Sequence, residues 1–212
     1  MTDLTTTPPA ARARASRPAT LQPAASSVEQ VVLLDEAGNQ IGTAPKSSVH
    51  GADTALHLAF SCHVFDDEGR LLVTRRALGK VAWPGVWTNS FCGHPAPAEP
   101  LPHAVRRRAE FELGLELRDV EPVLPFFRYR ATDASGIVEH EICPVYTART
   151  SSVPAPHPDE VLDLAWVEPG ELATAVRAAP WAFSPWLVLQ AQLLPFLGGH
   201  ADARARTEAL VS

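Results

Sequence analysis

Glu139 and Glu141 flank His140 in the run Ile-Val-Glu-His-Glu-Ile-Cys over 137–143. In a strand, side chains repeat every second residue, so this run puts both carboxylates on one face and Val138, His140 and Ile142 on the other. Two neighbouring carboxylates on a core-facing surface are costly, and folded chains keep them where a cation, a proton or a ligand compensates their charge. Any fold this chain adopts must bring such a partner to that face. A second run, Trp-Pro-Gly-Val-Trp-Thr-Asn-Ser-Phe-Cys-Gly-His-Pro over 83–95, sets the thiol of Cys92 two residues before the imidazole of His94. A thiol, an imidazole and a carboxylate pair are enough for proton transfer beside a metal.

His50 and His57 frame Gly-Ala-Asp-Thr-Ala-Leu. A lone histidine near a strand is more often structural than a ligand. Together, however, His50, His57, His94, Glu139 and Glu141 offer the mixed nitrogen and oxygen donors that suit Mg²⁺, Mn²⁺ or Zn²⁺. Spacing alone does not bring the five together.

Composition narrows the partners. With 212 residues, 46% of them hydrophobic, the chain can build one sizeable core, and a second full domain is not expected. A net charge of -6 provides no global basic field for nucleic acid or an anionic membrane, so an anionic ligand must be gathered locally. No apolar run approaches the roughly 20 residues of a membrane span. Three cysteines, an odd number with no secretory signal ahead of them, point to reduced thiols in the cytoplasm. Lys46 and Lys80 are the only lysines in the chain, and they are either solvated or recruited for function.

Residues 1–27, rich in Ala, Pro, Thr and Arg, read as a disordered tail, 28–198 as the folded domain and 199–212 as a flexible end. Strands are expected at 28–34, near Ile41, at 57–65 with a hairpin partner at 71–76, and at 88–91, 123–131, 138–146 and 162–167. Leu101–Leu115 reads as a helix with Ala104, Val105, Phe111 and Leu115 on its apolar side, its arginines opposite and Gly114 near its end. Shorter helices are expected at 171–178 and, capped by Ser184-Pro185, on to Pro195. The order describes an α/β (α+β) domain with a mixed sheet between helical layers.

Around the helix, Gly93, Glu99, Arg107, Glu112 and Gly114 fall at the spacing of a Nudix box, the loop-helix-loop that holds Mg²⁺ against a diphosphate. The match is degenerate, because Arg108 and Phe111 stand where a Nudix hydrolase places glutamates. The alternative for Arg106, Arg107 and Arg108 is a solvated face. The segments HGADTALHLAF (50–60), LLVTRRAL (71–78), AWPGVWTNSFCGHP (82–95), FRYRATD (127–133), SGIVEHEICPV (135–145) and PWAFSPW (180–186) resemble type I isopentenyl-diphosphate isomerase, over about residues 28–190.

That resemblance implies a Nudix-like fold and conversion of isopentenyl to dimethylallyl diphosphate in isoprenoid biosynthesis, with no flavin. It makes Cys92 and Glu141 catalytic, Tyr129 a neighbour of Glu141, and Trp186 an aromatic wall over the reacting carbons. Lys46, Arg76, Lys80 and Arg108 become a diphosphate clamp. His50, His57, His94, Glu139 and Glu141 become ligands of a divalent metal. Glu112 and the backbone carbonyl of Cys92 become the place of a Mg²⁺ that arrives with the diphosphate. The expected partner is the small-molecule substrate, with a monomer favoured. Two rivals remain, a Nudix hydrolase of nucleoside or isoprenoid diphosphates and a non-catalytic diphosphate-binding module. The first is disfavoured by Arg108 and Phe111, the second by the presence of Cys92 and Glu141.

Overall fold

A computed structural model describes residues 29–200. The tail expected over 1–27 lies outside these residues, as does all but Gly199 and His200 of the one expected over 199–212. The chain opens with an antiparallel hairpin of β1 (Gln30–Leu34) and β2 (Gln40–Pro45), followed by α1 (Lys46–Val49), a short helix with no counterpart among the expected elements. Then come β3 (His57–Leu58), β4 (Phe60–Phe65), β5 (Leu71–Arg76), β6 (Trp87–Thr88), β7 (Phe91–Gly93) and α2 (Leu101–Leu113). The second half holds β8 (Arg118–Leu124), β9 (Arg128–Thr132), β10 (Val138–Ile142), β11 (Val145–Arg149), β12 (Val161–Val167), α3 (Pro169–Ala178) and α4 (Pro185–Ala191).

The α/β expectation holds, but the strands form two sheets. One is ordered β2-β1-β3-β10-β9; the other runs β12-β5-β4-β11-β8, with β6 on β5 and β7 on β4. Three segments expected as single strands each divide between the sheets, at Ala59, at Pro125–Phe127 and at Cys143-Pro144. They keep the same neighbours on both sides of the break, β3-β10-β9 in one sheet and β4-β11-β8 in the other. Ala59 N–H donates to the Ile142 carbonyl (2.9 Å), Ser61 N–H to the Pro144 carbonyl (3.1 Å) and Cys143 N–H to the Phe127 carbonyl (2.8 Å), so pairing continues across the bend. Pro125 and Pro144 explain two of the breaks, since proline has a fixed φ and no N–H to give to a ladder. Ala59, Phe127, Tyr129, Cys143 and Val145 pack together at this bend with Trp186.

On the second sheet, α2 buries Ala104, Val105, Ala109 and Leu113 against Phe60, Leu72 and Phe91. Its buried stripe, 104-105-108-109-112-113, has helical period and includes Arg108 and Glu112. Phe111 falls off that stripe. It is half exposed, stacked on His157 at 5.1 Å, which corrects its expected place on the apolar side. Gly114 closes α2 at φ 63°, its N–H returning to the Glu110 carbonyl. Ser184 caps α4 as expected, accepting from Leu187 N–H at 3.4 Å. That helix stops at Ala191 rather than running on to Pro195.

Gly93 matters for space. A Cβ there would stand 2.8 Å from Arg108 Cγ and 2.9 Å from Phe60 Cζ, and Phe60 is fully buried. Gly93→Ala should therefore cost about 1–3 kcal/mol of stability through overpacking. Chemical denaturation measures this, and an unchanged midpoint would show that Arg108 moves aside freely.

Candidate active site

Parallel pairing of β3 with β10 sets His57 opposite Glu141, which puts both side chains on one face. His94 follows β7 directly, and His50 ends α1. One donor atom each from His50, His57, His94 and Glu141 lie within 4.8 Å of one another. Nε2 of His57 is 3.2 Å from Nε2 of His94, and these nitrogens lie 3.5 and 3.3 Å from Oε1 of Glu141. His57 Nδ1 is 2.9 Å from the Ala55 carbonyl, which can only accept, so Nδ1 carries a proton and Nε2 is the nitrogen that faces the cluster.

Glu139, the fifth expected ligand, reaches the group through His50. Its Oε2 is 3.0 Å from His50 Nε2, yet the pair lacks hydrogen-bond geometry and neither buried atom has another hydrogen-bond partner. Buried polar atoms are rarely left so. Four converging donor residues, with the unpartnered Nε2 of His50 among their atoms and the unpartnered Oε2 of Glu139 beside them, fit a divalent cation.

Burial penalises the charge of Glu141, but the hydrogen bonds and charges of His57 and His94 outweigh it and hold this carboxyl well below the usual range. Glu139 moves the other way, raised by burial and by the charge of Glu141. Burial lowers His94 to about 4. His57 is also opposed by burial, yet its bond to Glu141 raises it overall. The strand pair thus carries two unequal carboxyls.

These groups open on a cavity of about 380 Å³ lined from both sheets: Tyr129, Glu139 and Glu141 from the first, Arg76 and Cys92 from the second, with Trp186 from α4. Tyr129 lies opposite Glu141 in the β9–β10 register. Burial first, then the Glu141 charge, raises its phenol well above the ordinary value. The Cys92 sulfur is 3.3 Å from Ser61 Oγ and 3.3 Å from Asn89 Oδ1, and burial pushes the thiol up to about 12. Cys62 and Cys143 are fully buried free thiols. The Trp186 ring stands 5.7 Å from Tyr129 and edge-on to Trp83 at 5.6 Å, with the Arg76 guanidinium 5.3 Å from its centroid.

Lys46, Arg76, Lys80 and Arg108 all line the same cavity. Each is already engaged: Lys46 with Glu29 at 3.1 Å, Lys80 with Glu160, Arg76 with the carbonyls of Ala82 and Trp83, and Arg108 with Glu112 and Glu160. Glu112 is buried against Arg108, its Oε1 2.9 Å from Arg108 Nε, outside both the converging donor set and the cavity lining. Sequence reading missed Glu29, Ser61, Asn89 and Glu160. The one available signal was Thr88-Asn89-Ser90, a polar triplet set among aromatic residues and almost entirely buried.

The NUDIX domain family model matches residues 55–187. DR0079 of Deinococcus radiodurans shares the fold, with a TM-score of 0.60 at 20% identity over 76% of this chain and 96% of that one. Fold and site therefore define a Nudix-class protein whose box helix carries arginine at position 108. An isopentenyl-diphosphate Delta-isomerase of Agromyces mediolanus is 92% identical over 212 residues, 100% of both chains. Another from Clavibacter michiganensis subsp. michiganensis is 68% identical, over 78% of this chain and 86% of its own. The chain belongs to the isopentenyl-diphosphate Delta-isomerase family.

A cation bound only by the folded state adds about 2.7 kcal/mol at a hundred times its Kd. Mn²⁺ or Zn²⁺ should raise the melting temperature of chelator-stripped protein, and His50→Ala should weaken that response. Superimposable melts with and without metal would remove the cation from this site.

Proposed function

We propose that this isomerase interconverts isopentenyl and dimethylallyl diphosphate by adding a proton to one carbon and removing one from its neighbour, with Glu141 and Cys92 as the two proton carriers. The observation that carries this reading is a thiol on β7 and a carboxyl on β10, lining one cavity with an indole wall. Isomerisation moves a double bond by one position. Glu141, a carboxylate in the resting site, takes up a proton as the Cys92 thiol gives one up, and then passes it to the terminal carbon; the electron pair of the double bond forms the new C–H bond, and a tertiary cation is left. Cys92, as thiolate, takes a proton from the adjacent carbon, and that C–H pair becomes the new double bond. A thiol pushed up to about 12 is a strong base once ionised.

The face of Trp186 attracts the cation, by about 2 kcal/mol when desolvated. Water would trap the cation as an alcohol, so the bound substrate must displace it from the part of the cavity that Trp186 and Tyr129 line. Lys46, Arg76, Lys80 and Arg108 hold the diphosphate and so place the carbon chain against these groups. His50, His57, His94, Glu139 and Glu141 would hold a divalent cation (Mn²⁺, Mg²⁺ or Zn²⁺), which would polarise the carboxyl and strengthen it as an acid; Glu112, with the Cys92 carbonyl, would hold a Mg²⁺ that enters with the diphosphate only once Arg108 turns from it to the phosphate. We place the enzyme in the cytoplasm as a monomer, its three cysteines unpaired. Among the described residues no helix is long and apolar enough to cross a membrane.

Incubation with isopentenyl diphosphate and Mg²⁺ separates isomerisation from hydrolysis, because one yields the isomer and the other releases phosphate. Cys92→Ala should lose about 10²- to 10⁴-fold in turnover with the fold intact. Cys62→Ser and Cys143→Ser should mainly change stability. Near-normal turnover by Cys92→Ala would exclude the thiol as base.

Glu139→Gln and Glu141→Gln separate the two carboxyls. At saturating metal, Glu139→Gln should regain a measurable share of activity, with deuterium from heavy water in the new methyl group. Glu141→Gln should stay inert, because an amide is no comparable acid. The reverse result would make Glu139 the acid.

A further inference from the structure

Asn89 lies between β6 and β7, fully buried, behind the wall that Cys92 and Trp186 present to the cavity. Its amide is saturated. Nδ2 donates to the carbonyls of Cys62 (3.0 Å) and Phe91 (2.7 Å). Oδ1 accepts from the Thr88 hydroxyl (2.9 Å), the Cys92 thiol (3.3 Å) and the indole Nε1–H of Trp186 (3.0 Å). The two carbonyls can only accept, so they orient the amide with its nitrogen toward them and its oxygen toward the thiol and the indole.

The backbone around Asn89 is pinned as well. Ser90 Oγ donates to the Leu72 carbonyl at 2.7 Å and accepts from Val64 N–H at 2.8 Å. Thr88 Oγ1 and Ser184 Oγ are 2.8 Å apart, which ties the same loop to the cap of α4, the helix that carries Trp186. One oxygen atom on a fixed frame therefore holds a group from β7 and a group from α4. An indole has a single donor, so the bond to Asn89 is what sets the rotation of that ring within its apolar contacts.

We propose that Asn89 is a positioning residue, whose Oδ1 sets the face of the Trp186 indole and the direction of the Cys92 thiol relative to each other across the reacting carbons. The proposal rests on the functional reading above, and it concerns a residue that neither lines the cavity nor exchanges a proton. A buried asparagine that only completes the core would affect stability and leave the ring where it is. A positioning residue changes the rate at constant substrate affinity and leaves a mark on the indole itself.

The test uses the full chain, labelled with ¹⁵N, and reads kcat, KM and the Trp186 indole N–H resonance, assigned by its loss in Trp186→Phe. Asn89→Ala should move that resonance and lower kcat for isopentenyl diphosphate by about 10²-fold, the scale of a small misplacement at a reacting centre. KM should stay within about twofold, because Asn89 hydrogen-bonds none of Lys46, Arg76, Lys80 and Arg108. Asn89→Asp, fully buried and facing two carbonyls, is held protonated, so its hydroxyl donates to one of them while its other oxygen stays turned to the indole as an acceptor. It should hold the resonance near its wild-type position and recover most of the lost kcat.

An Asn89→Ala protein with unchanged kcat, or with an unmoved indole resonance, overturns the proposal. So does an Asn89→Asp protein that keeps the resonance yet falls about 10²-fold in kcat, and this arm decides the matter if the alanine variant does not fold. Wild-type protein that makes no dimethylallyl diphosphate overturns the functional reading instead, and the resonance then judges the tie to Trp186 separately.

Discussion

Glu141 is 5% exposed, and its Oε1 has imidazole nitrogens at 3.3 and 3.5 Å. Withdrawing a carboxylate from water costs several kcal/mol, a penalty that only close, well-placed partners offset. Much of the site follows from supplying them. His57 reaches Glu141 because β3 runs parallel to β10 in that one register, and a slip of one residue would turn every side chain of the strand to the wrong face. His94 reaches it because β7 lies on β4, the continuation of β3 beyond the bend. The strand pairing that builds the fold is thus the same pairing that brings polar partners to the buried charge.

The bend itself makes the cavity possible. Three adjacent segments leave one sheet and enter the other at nearly the same level, still bonded to one another through the carbonyls of Ile142, Pro144 and Phe127. A flat sheet would present Glu141 and Cys92 from one surface. The bent one brings Cys92 on β7 and Glu141 on β10 to a common space, with Trp186 packed against the bend. Isopentenyl-diphosphate isomerisation needs two proton carriers at one small substrate, and a cavity shared between two sheets serves that need.

The basic residues around the mouth obey the same rule of compensation. Arg108 is 5% exposed and would be costly alone, so it lies between Glu112 and Glu160. Lys80 shares Glu160, Lys46 has Glu29, and Arg76 spans two backbone carbonyls beneath the indole. These bonds order four long side chains around the cavity.

Period-two alternation in Val138–Ile142 made the carboxylate face legible in the sequence, and it holds because pleat geometry is local. The helix at α2, its Gly114 terminus and the Ser184 cap were legible for the same reason, as each depends on residues within one or two turns. The resemblance carried in the motifs pointed to the family, and Lys46 and Lys80 do line one cavity. What local pattern could not supply was convergence. A run of extended residues reads alike whether it stays in one sheet or crosses to another, so the breaks at Ala59, Phe127 and Cys143 went unseen although Pro125 and Pro144 were in plain view. Arg108 and Glu112 turned inward and Phe111 outward because the partners of α2, among them Phe60 and Glu160, come from distant parts of the chain. Asn89 was invisible as a contact to Trp186, 97 positions away, until the fold joined them. Sequence determined which chemical groups the chain owns and how each strand and helix presents them, because those are short-range matters of geometry. Tertiary structure alone decided which groups meet, because burial and charge compensation act between segments that share no sequence neighbourhood.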